Sequence, residues 1–383
     1  MPTCPDRRFL LHALDPVRAG GPVDAWDDGI DVAGVVTLAS AHAVAPALAH
    51  RVATAPAPAS LPPELRDWAA ETHLECTVRN AWIRRHLGQV CGILAQAGVR
   101  CLALKGSDLI LTTSPHPGAR HLDDIDLLVA PGDVRGASQA LSEAGITVRR
   151  AGSEVPFVDG RSHADYEADQ ADQKIHPAVH ETPDGLSIEI HRALPGDGER
   201  AEVAFERRWH ERRSAESGYG PVELLPLAEL WSHLALHAIE QHHLDWRLLA
   251  RHRVDAGWLR LQNPWLDTVR GDTPDARLSI ALTRVILALA SSEDDRLLDA
   301  AGRILFPGPR LRTGWDQAIH TGLLARRLAH DLRHQPGVLA RKLVPTDDFL
   351  RHYYGDEALA AGRTRLLLRR LIEVPLRPFT GSR

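Results

Sequence analysis

Six consecutive residues, Asp124-Ile125-Asp126-Leu127-Leu128-Val129, constrain this chain more than any other segment. On a β-strand, residues i and i+2 share a face, so the two carboxylates project side by side from the start of an otherwise apolar run. Two like charges this close are costly unless something cationic neutralises them. A lone D-x-D is most often a solvated strand end. Here the apolar continuation sets the pair at the rim of a core, which points to a site. Magnesium is the natural partner, because it is hard, prefers oxygen ligands and commonly shares carboxylates with a nucleotide phosphate.

The segments around this strand alternate in period. Val99–Leu104 reads as a short strand, and Asp108–Thr113 as a helix. Ile125–Ala130 reads as the second strand, Asp133–Ala144 as a helix stopped by Gly145, and Ile146–Arg149 as a third strand. Lys174–His180 and Leu186–Leu194 flank Pro183-Asp184-Gly185, the pattern of a β-hairpin. This alternation predicts a mixed α/β core. Upstream, Val35–Val52 has helical spacing, and Ala53–Pro63 reads as an Ala/Pro linker. Leu65–Ala97 predicts one long amphipathic helix, its stripe running through Trp68, Leu74, Val78, Trp82, Leu87, Val90 and Leu94 to a terminal Gly98. Gly152–Gln173 is polar and reads as a surface insertion. From Pro226 onward the texture is helical, best in Leu227–Ala250, Val254–Leu261, Ala276–Ser291, Asp294–Ile304 and Ala360–Ile372. The expected division is therefore an N-terminal helical region (1–97), a catalytic core (98–195) and a C-terminal helical domain (196–383).

Three further pieces carry chemistry. Lys105-Gly106-Ser107 stands between a strand and a helix, where a glycine admits a phosphate close to the backbone. Ser107 can cap the helix there, and the helix N-terminus offers free N–H groups to an anion. Most Gly-Ser turns of this kind are structural. Glu189, in Ile188-Glu189-Ile190-His191, shares a face with His191 and opposes Ile188 and Ile190. It is either an exposed strand residue or a third carboxylate that holds a second metal or deprotonates an attacking hydroxyl. Arg120 is either a surface loop residue or a two-pronged phosphate contact, and Lys105 has the same two readings.

Taken in order, Leu104-Lys105-Gly106-Ser107, Arg120, Asp124-Ile125-Asp126-Leu127-Leu128-Val129 and Ile188-Glu189-Ile190-His191 resemble the polymerase-β-type nucleotidyltransferase superfamily. More narrowly, they resemble its uncharacterised bacterial nucleotidyltransferase-like family, with an L-K-G … R … D-I-D-L-L-V signature. Two flanks extend the likeness from about Val35 to about Leu261. One is Ala41–Leu48. The other is Leu234-Ala235-Leu236-His237 with His242, His243, Trp246–Leu249 and Asp255. The resemblance implies an α+β fold, a polymerase-β-like core flanked by N-terminal and C-terminal helical regions. It implies that Asp124, Asp126 and Glu189 bind magnesium, as a two-metal site, and serve catalysis. Gly106 and Ser107 would hold the β and γ phosphates, with Lys105 and Arg120 as phosphate contacts. The co-substrate would be a nucleoside triphosphate, ATP the expected one, and the acceptor a small molecule, peptide or protein rather than nucleic acid, with natural-product tailoring as the implied setting. The competing readings are a toxin-like transferase acting on transfer RNA and a catalytically silent nucleotide-binding module. The sequence departs from compact superfamily members in its longer Ser107–Asp124 stretch and in the extra acid Asp123.

Composition bounds the rest. A formal charge of −5 argues against a chain built to coat nucleic acid, and 44% hydrophobic residues exclude a wholly disordered one. The four cysteines form no C-x-x-C pair, Met1–Leu14 does not read as a signal peptide, and no run of roughly 18 apolar residues exists. A cytoplasmic setting without membrane contact is expected. The 21 histidines suggest a metal protein. Their densest stretch, His233, His237, His242, His243 and His252, lacks the H-E-x-x-H pattern and reads as packing, hydrogen bonding or pocket lining. Trp231, Trp246 and Trp258 in the same region read as core.

Overall fold

The computed structural model describes residues 5–15, 29–56, 61–149, 178–194, 200–238, 246–272, 274–291 and 294–306, with 26, 197 and 362 besides. Four helices lead: α1 (Pro5–Ala13), α2 (Val32–Ala41), α3 (Ala45–Thr54) and α4 (Pro63–Gln96). The expected helix over 35–52 is thus two helices, broken where Ala43 takes the left-handed conformation at φ 54°. Asp31 caps α2 by accepting from the Ala33 and Gly34 N–H groups. The long helix α4 is as predicted, and Gly98 ends it at φ 74°.

The core follows as β1 (Cys101–Ala103), α5 (Lys105–Thr112), β2 (Asp124–Val129), α6 (Val134–Glu143), β3 (Thr147–Arg149), β4 (Ala178–Glu181) and β5 (Ser187–His191). Next come α7 (Ala201–His210), β6 (Arg213–Glu216) and β7 (Pro221–Leu224). Helices α8 (Leu227–Leu236), α9 (Trp246–Gln262), α10 (Pro274–Ala290) and α11 (Asp295–Leu305) complete the described chain. The expected 152–173 insertion, the 360–372 helix, and His242 and His243 lie outside the described residues.

One mixed sheet of seven strands runs in the order β3-β4-β5-β2-β1-β7-β6. Strands β2 and β5 pair in parallel, as do β1 and β7; the other neighbours are antiparallel. The β4–β5 hairpin turns through Gly185 at φ 88°, the conformation that the Pro-Asp-Gly signal requires. The sheet continues past residue 195, because β6 and β7 lie in the region assigned to the C-terminal helical domain, ahead of Pro226 where the helical texture begins. Their sequence gave little strand signal: Arg213-Ser214-Ala215-Glu216 is mostly polar and forms an edge. A tertiary contact anchors it instead. Arg213 pairs with the fully buried Asp108 of α5 at 2.6 Å and donates to the Leu225 carbonyl. Burial still pushes the Asp108 carboxyl up to about 6 against the pull of Arg213.

Three clusters of buried side chains fix this arrangement. On one face of the sheet, Ile125, Leu127, Val129, Ile188 and Ile190 pack under α4 (Ile83, Leu87, Val90, Leu94) and α6 (Ala137, Leu141). On the other, Leu102, Leu104 and Leu128 pack with Phe205, Leu230, Trp231, Leu234 and Leu259. The third joins α1–α3 and the start of α4 to Leu249, Val254 and Trp258 of α9 and to α11, so the N-terminal and C-terminal helices share one core. Trp231 and Trp258 are buried, as expected. Helix α4 changes partners along its length: Leu65 and Ala69 face the helical cluster, and Ile83 onward face the sheet. Its buried stripe passes through Cys76 and Asn80 between them, whereas Leu74 and Val78, assigned to the stripe from spacing, are exposed at 64% and 62%.

Candidate active site

Strand β2 is the central strand of the sheet, and its parallel register with β5 sets Asp126 opposite Glu189 and Asp124 opposite Ser187. Alternation does the rest. Ile125 and Leu127 point into the core under α4, so Asp124 and Asp126 point to the other face, together with Glu189 and His191. The pattern read from sequence is therefore met across two strands.

Asp126 is 2% exposed, and its Oδ1 accepts from Lys105 Nζ at 2.9 Å and lies 2.7 Å from His191 Nε2. Burial alone would raise its pKa, but Lys105 and His191 overcome that and hold the carboxyl well below its usual range. Asp124 moves the other way. Burial, then the Asp126 and Glu189 charges, push it up to about 6. Glu189 Oε2 lies 3.6 Å from His191 Nε2. One ligand atom each from Asp126, Glu189 and His191 falls within 4.8 Å of the others, a set able to hold a cation.

The glycine-serine turn is built differently from its sequence reading. Helix α5 begins at Lys105 with Leu104 as its cap residue, so Ser107 lies inside the first turn and does not cap the helix. Ser107 is fully buried, and its Oγ lies 3.3 Å from the Asp126 N–H, which it accepts. Lys105 adopts φ 46°, a conformation costing on the order of 1–2 kcal/mol for a residue with a Cβ. It turns the chain between β1 and α5 while its ammonium reaches Asp126. Gly106 is needed for close approach: a Cβ there would stand 2.3 Å from Leu122 Cδ1 and 2.5 Å from Arg120 Nη1. Gly106→Ala is accordingly expected to cost about 1–3 kcal/mol through displacement of those two side chains, readable as a lowered urea midpoint.

Arg120 is buried. Its Nε and Nη2 donate to the two carboxylate oxygens of Asp255 on α9 at 2.9 and 3.0 Å, and Nη1 donates to the His121 carbonyl. Arg251, one turn before Asp255, also donates to the His121 carbonyl, and desolvation and the Arg120 guanidinium pull its pKa down to about 10. The Arg120 backbone carbonyl accepts from Cys76 Sγ and Asn80 Nδ2 of α4.

Three neighbours were not singled out as site residues from sequence. His191 was visible beside Glu189, and Asp255 in the flanking likeness, but their partners lie 65 and 135 residues away. His233, on α8, is fully buried with neither ring nitrogen hydrogen-bonded among the described residues. Burial, then Lys105 and His191, hold its pKa well below 6.5, which favours the neutral imidazole. His252 is instead a packing residue, 2.9 Å from Thr283 Oγ1.

Residues 28–265 match the protein family described as uncharacterised nucleotidyltransferase. The chain belongs to this family. The match spans the strand bearing Asp124 and Asp126, the β5 carboxylate, and Asp255, the partner of Arg120. It agrees with the α+β fold and with a transferase of nucleotidyl groups. A search of curated proteins gives no significant match. Among the described residues no helix is long and apolar enough to cross a membrane.

Proposed function

We propose that this nucleotidyltransferase moves a nucleoside monophosphate from a nucleoside triphosphate, ATP first, to a hydroxyl or other nucleophile on a small molecule or peptide, with magnesium as its metal. The observation that carries this reading is the β2–β5 register, which sets three carboxylates on one face of the sheet beside a lysine. Hard oxygen donors at this density fit magnesium, and Asp124, Asp126 and Glu189 are the residues that would hold it. His191, a softer donor, is better suited to fixing Asp126 by hydrogen bonding. When bound, the metal supplies charge neutralisation and polarisation at the phosphates.

The chain's own groups have separate tasks. The acceptor oxygen bonds to the α-phosphorus as the bridging oxygen leaves with pyrophosphate. Glu189, whose side chain is 27% exposed, is a carboxylate within reach of the acceptor proton. Lys105 stands ready to exchange part of its contact with Asp126 for a phosphate oxygen. Arg120, tied to Asp255, positions the turn at Gly106 by packing against it. Catalysis of this kind is mostly positioning and electrostatic stabilisation.

The reading is tested with α-labelled ATP, magnesium, and either a small-molecule and peptide fraction or bulk transfer RNA. The expected result is label on the small-molecule or peptide fraction, together with magnesium-dependent thermal stabilisation by ATP that Asp124→Asn removes. Label on transfer RNA alone would overturn the acceptor. Neither label nor stabilisation would overturn the activity.

A further inference from the structure

Away from this site, three histidines from three separate segments come together. His50 lies on α3, His73 on α4, and His116 opens the short 3-10 turn Pro117–Ala119 that precedes Arg120. One ring nitrogen from each lies within 4.8 Å of the other two. Ring centroids are 5.1 Å apart for His50 and His73, 4.7 Å for His73 and His116, and 5.7 Å for His50 and His116. Among the described residues no carboxylate joins the group, and all three histidines are half-buried.

We propose that His50, His73 and His116 form a zinc site that pins the Arg120 loop to α3 and α4. Three imidazoles make a borderline-soft nitrogen set, which suits zinc and is poorly matched to magnesium. A tetrahedral zinc with Zn–N near 2.0–2.1 Å sets its nitrogens roughly 3.4 Å apart. Ring rotations on the order of an ångström complete three of its four positions and leave the fourth to water. Packing three imidazoles together has no hydrophobic rationale, and His50 Nδ1 is buried without a hydrogen-bond partner among the described residues. An unsatisfied buried nitrogen of that kind costs about 1–3 kcal/mol, which a metal bond would remove. Burial and the other two rings lower the pKa of His50 to about 4, so it is a neutral, ligand-ready imidazole at pH 7.

The ligands' backbones show what such an ion would fix. His73 is packed so closely on the turn that a methyl group at Gly118 would fall 2.5 Å from its Nδ1. His116 Nδ1 accepts the Gly118 N–H at 3.0 Å, and coordination through that nitrogen exchanges the hydrogen bond for the metal. Asn80 of α4 already binds the Pro117 and Arg120 carbonyls. Zinc would fasten the same turn a second time, just ahead of the Arg120–Asp255 pair.

The test uses tag-free, full-length protein stripped with a chelator and titrated with zinc in excess magnesium. The expected result is about one zinc retained per chain and a raised Tm. Glu189→Gln should retain the ion, whereas His50→Ala and His73→Ala should each weaken binding by roughly 100-fold or more, since even outer-sphere changes cost 10–100-fold. X-ray absorption at the zinc edge of the unmodified protein, which does not depend on any variant folding, should show imidazole scattering from three rings. Zinc unaffected by both histidine variants, zinc lost in Glu189→Gln, or an oxygen-dominated first shell would each overturn the site.

Discussion

Asp126→Asn is expected to abolish nucleotidyl transfer and to destabilise the protein in the same stroke. The activity loss should be on the order of 10²-fold or more, because a carboxylate that would hold the metal no longer carries charge where phosphate charge must be balanced. The stability loss has a separate origin. Asp126 is the counter-ion of Lys105, only 12% exposed at its side chain, and hydrogen-bonds to the buried His191. Neutralising it leaves the mostly buried Lys105 charge without its directly hydrogen-bonded counter-ion, a change worth about 3 kcal/mol in comparable pairs. Adding Lys105→Met separates the two effects. The double variant should regain much of the lost melting temperature, since no charge is left stranded, and should remain inactive. A single variant with full activity would show that Asp126 is not in the site. A double variant no more stable than the single one would show that Lys105 is not balanced by Asp126.

Asp255→Ala should be the most destabilising single change outside the hydrophobic clusters, at about 3–5 kcal/mol. The Arg120–Asp255 pair is buried on both sides and bidentate, the strongest geometry for such a contact. Its removal strands Arg120 next to Arg251, whose pKa is already depressed by burial and by the Arg120 charge. Arg120→Ala should cost less, because Asp255 keeps Arg251 as a neighbour. Replacing both by leucine should recover part of the loss, as expected when buried ions are exchanged for apolar groups. Denaturant unfolding of the four proteins checks the order. Equal losses from Arg120→Ala and Asp255→Ala would mean that Arg251 takes no part. The pair also connects α9 to the residue that packs on Gly106, so the loop leading into β2 is set by contacts with α4 and α9 rather than by its own sequence.

Much of this molecule was legible residue by residue. Local signals that depend only on backbone sterics and periodicity were read correctly: the 34-residue α4, the left-handed glycines at 98, 145 and 185, the hairpin through Gly185, and an aspartate pair opening an apolar strand. The readings that went astray depended on partners. Leu74 and Val78 follow helical spacing but fall where α4 passes from one core to another. The strand Arg213–Glu216 exists because the sheet edge and Asp108 accept it, and its own residues carry little strand preference. Ser107 lies inside the first turn and cannot cap, because α5 already begins at Lys105 behind the cap residue Leu104.

The histidines divide the same way. Sequence density drew attention to His233–His252, read as packing, hydrogen bonding or pocket lining, and His252 does hydrogen-bond with Thr283; among the described residues, the histidine cluster able to hold a cation comes from positions 50, 73 and 116. By itself, then, the sequence determined the elements, the carboxylates Asp124 and Asp126 on one strand face, and the family resemblance. Those rest on short-range geometry that a few residues specify alone. Only the tertiary structure decided that Glu189 lies opposite Asp126, that Lys105 and His191 hold Asp126, that Arg120 is paired with Asp255, and that three distant histidines meet. Each of these is a contact between segments far apart in the chain, and only the packing of the three clusters brings such segments together.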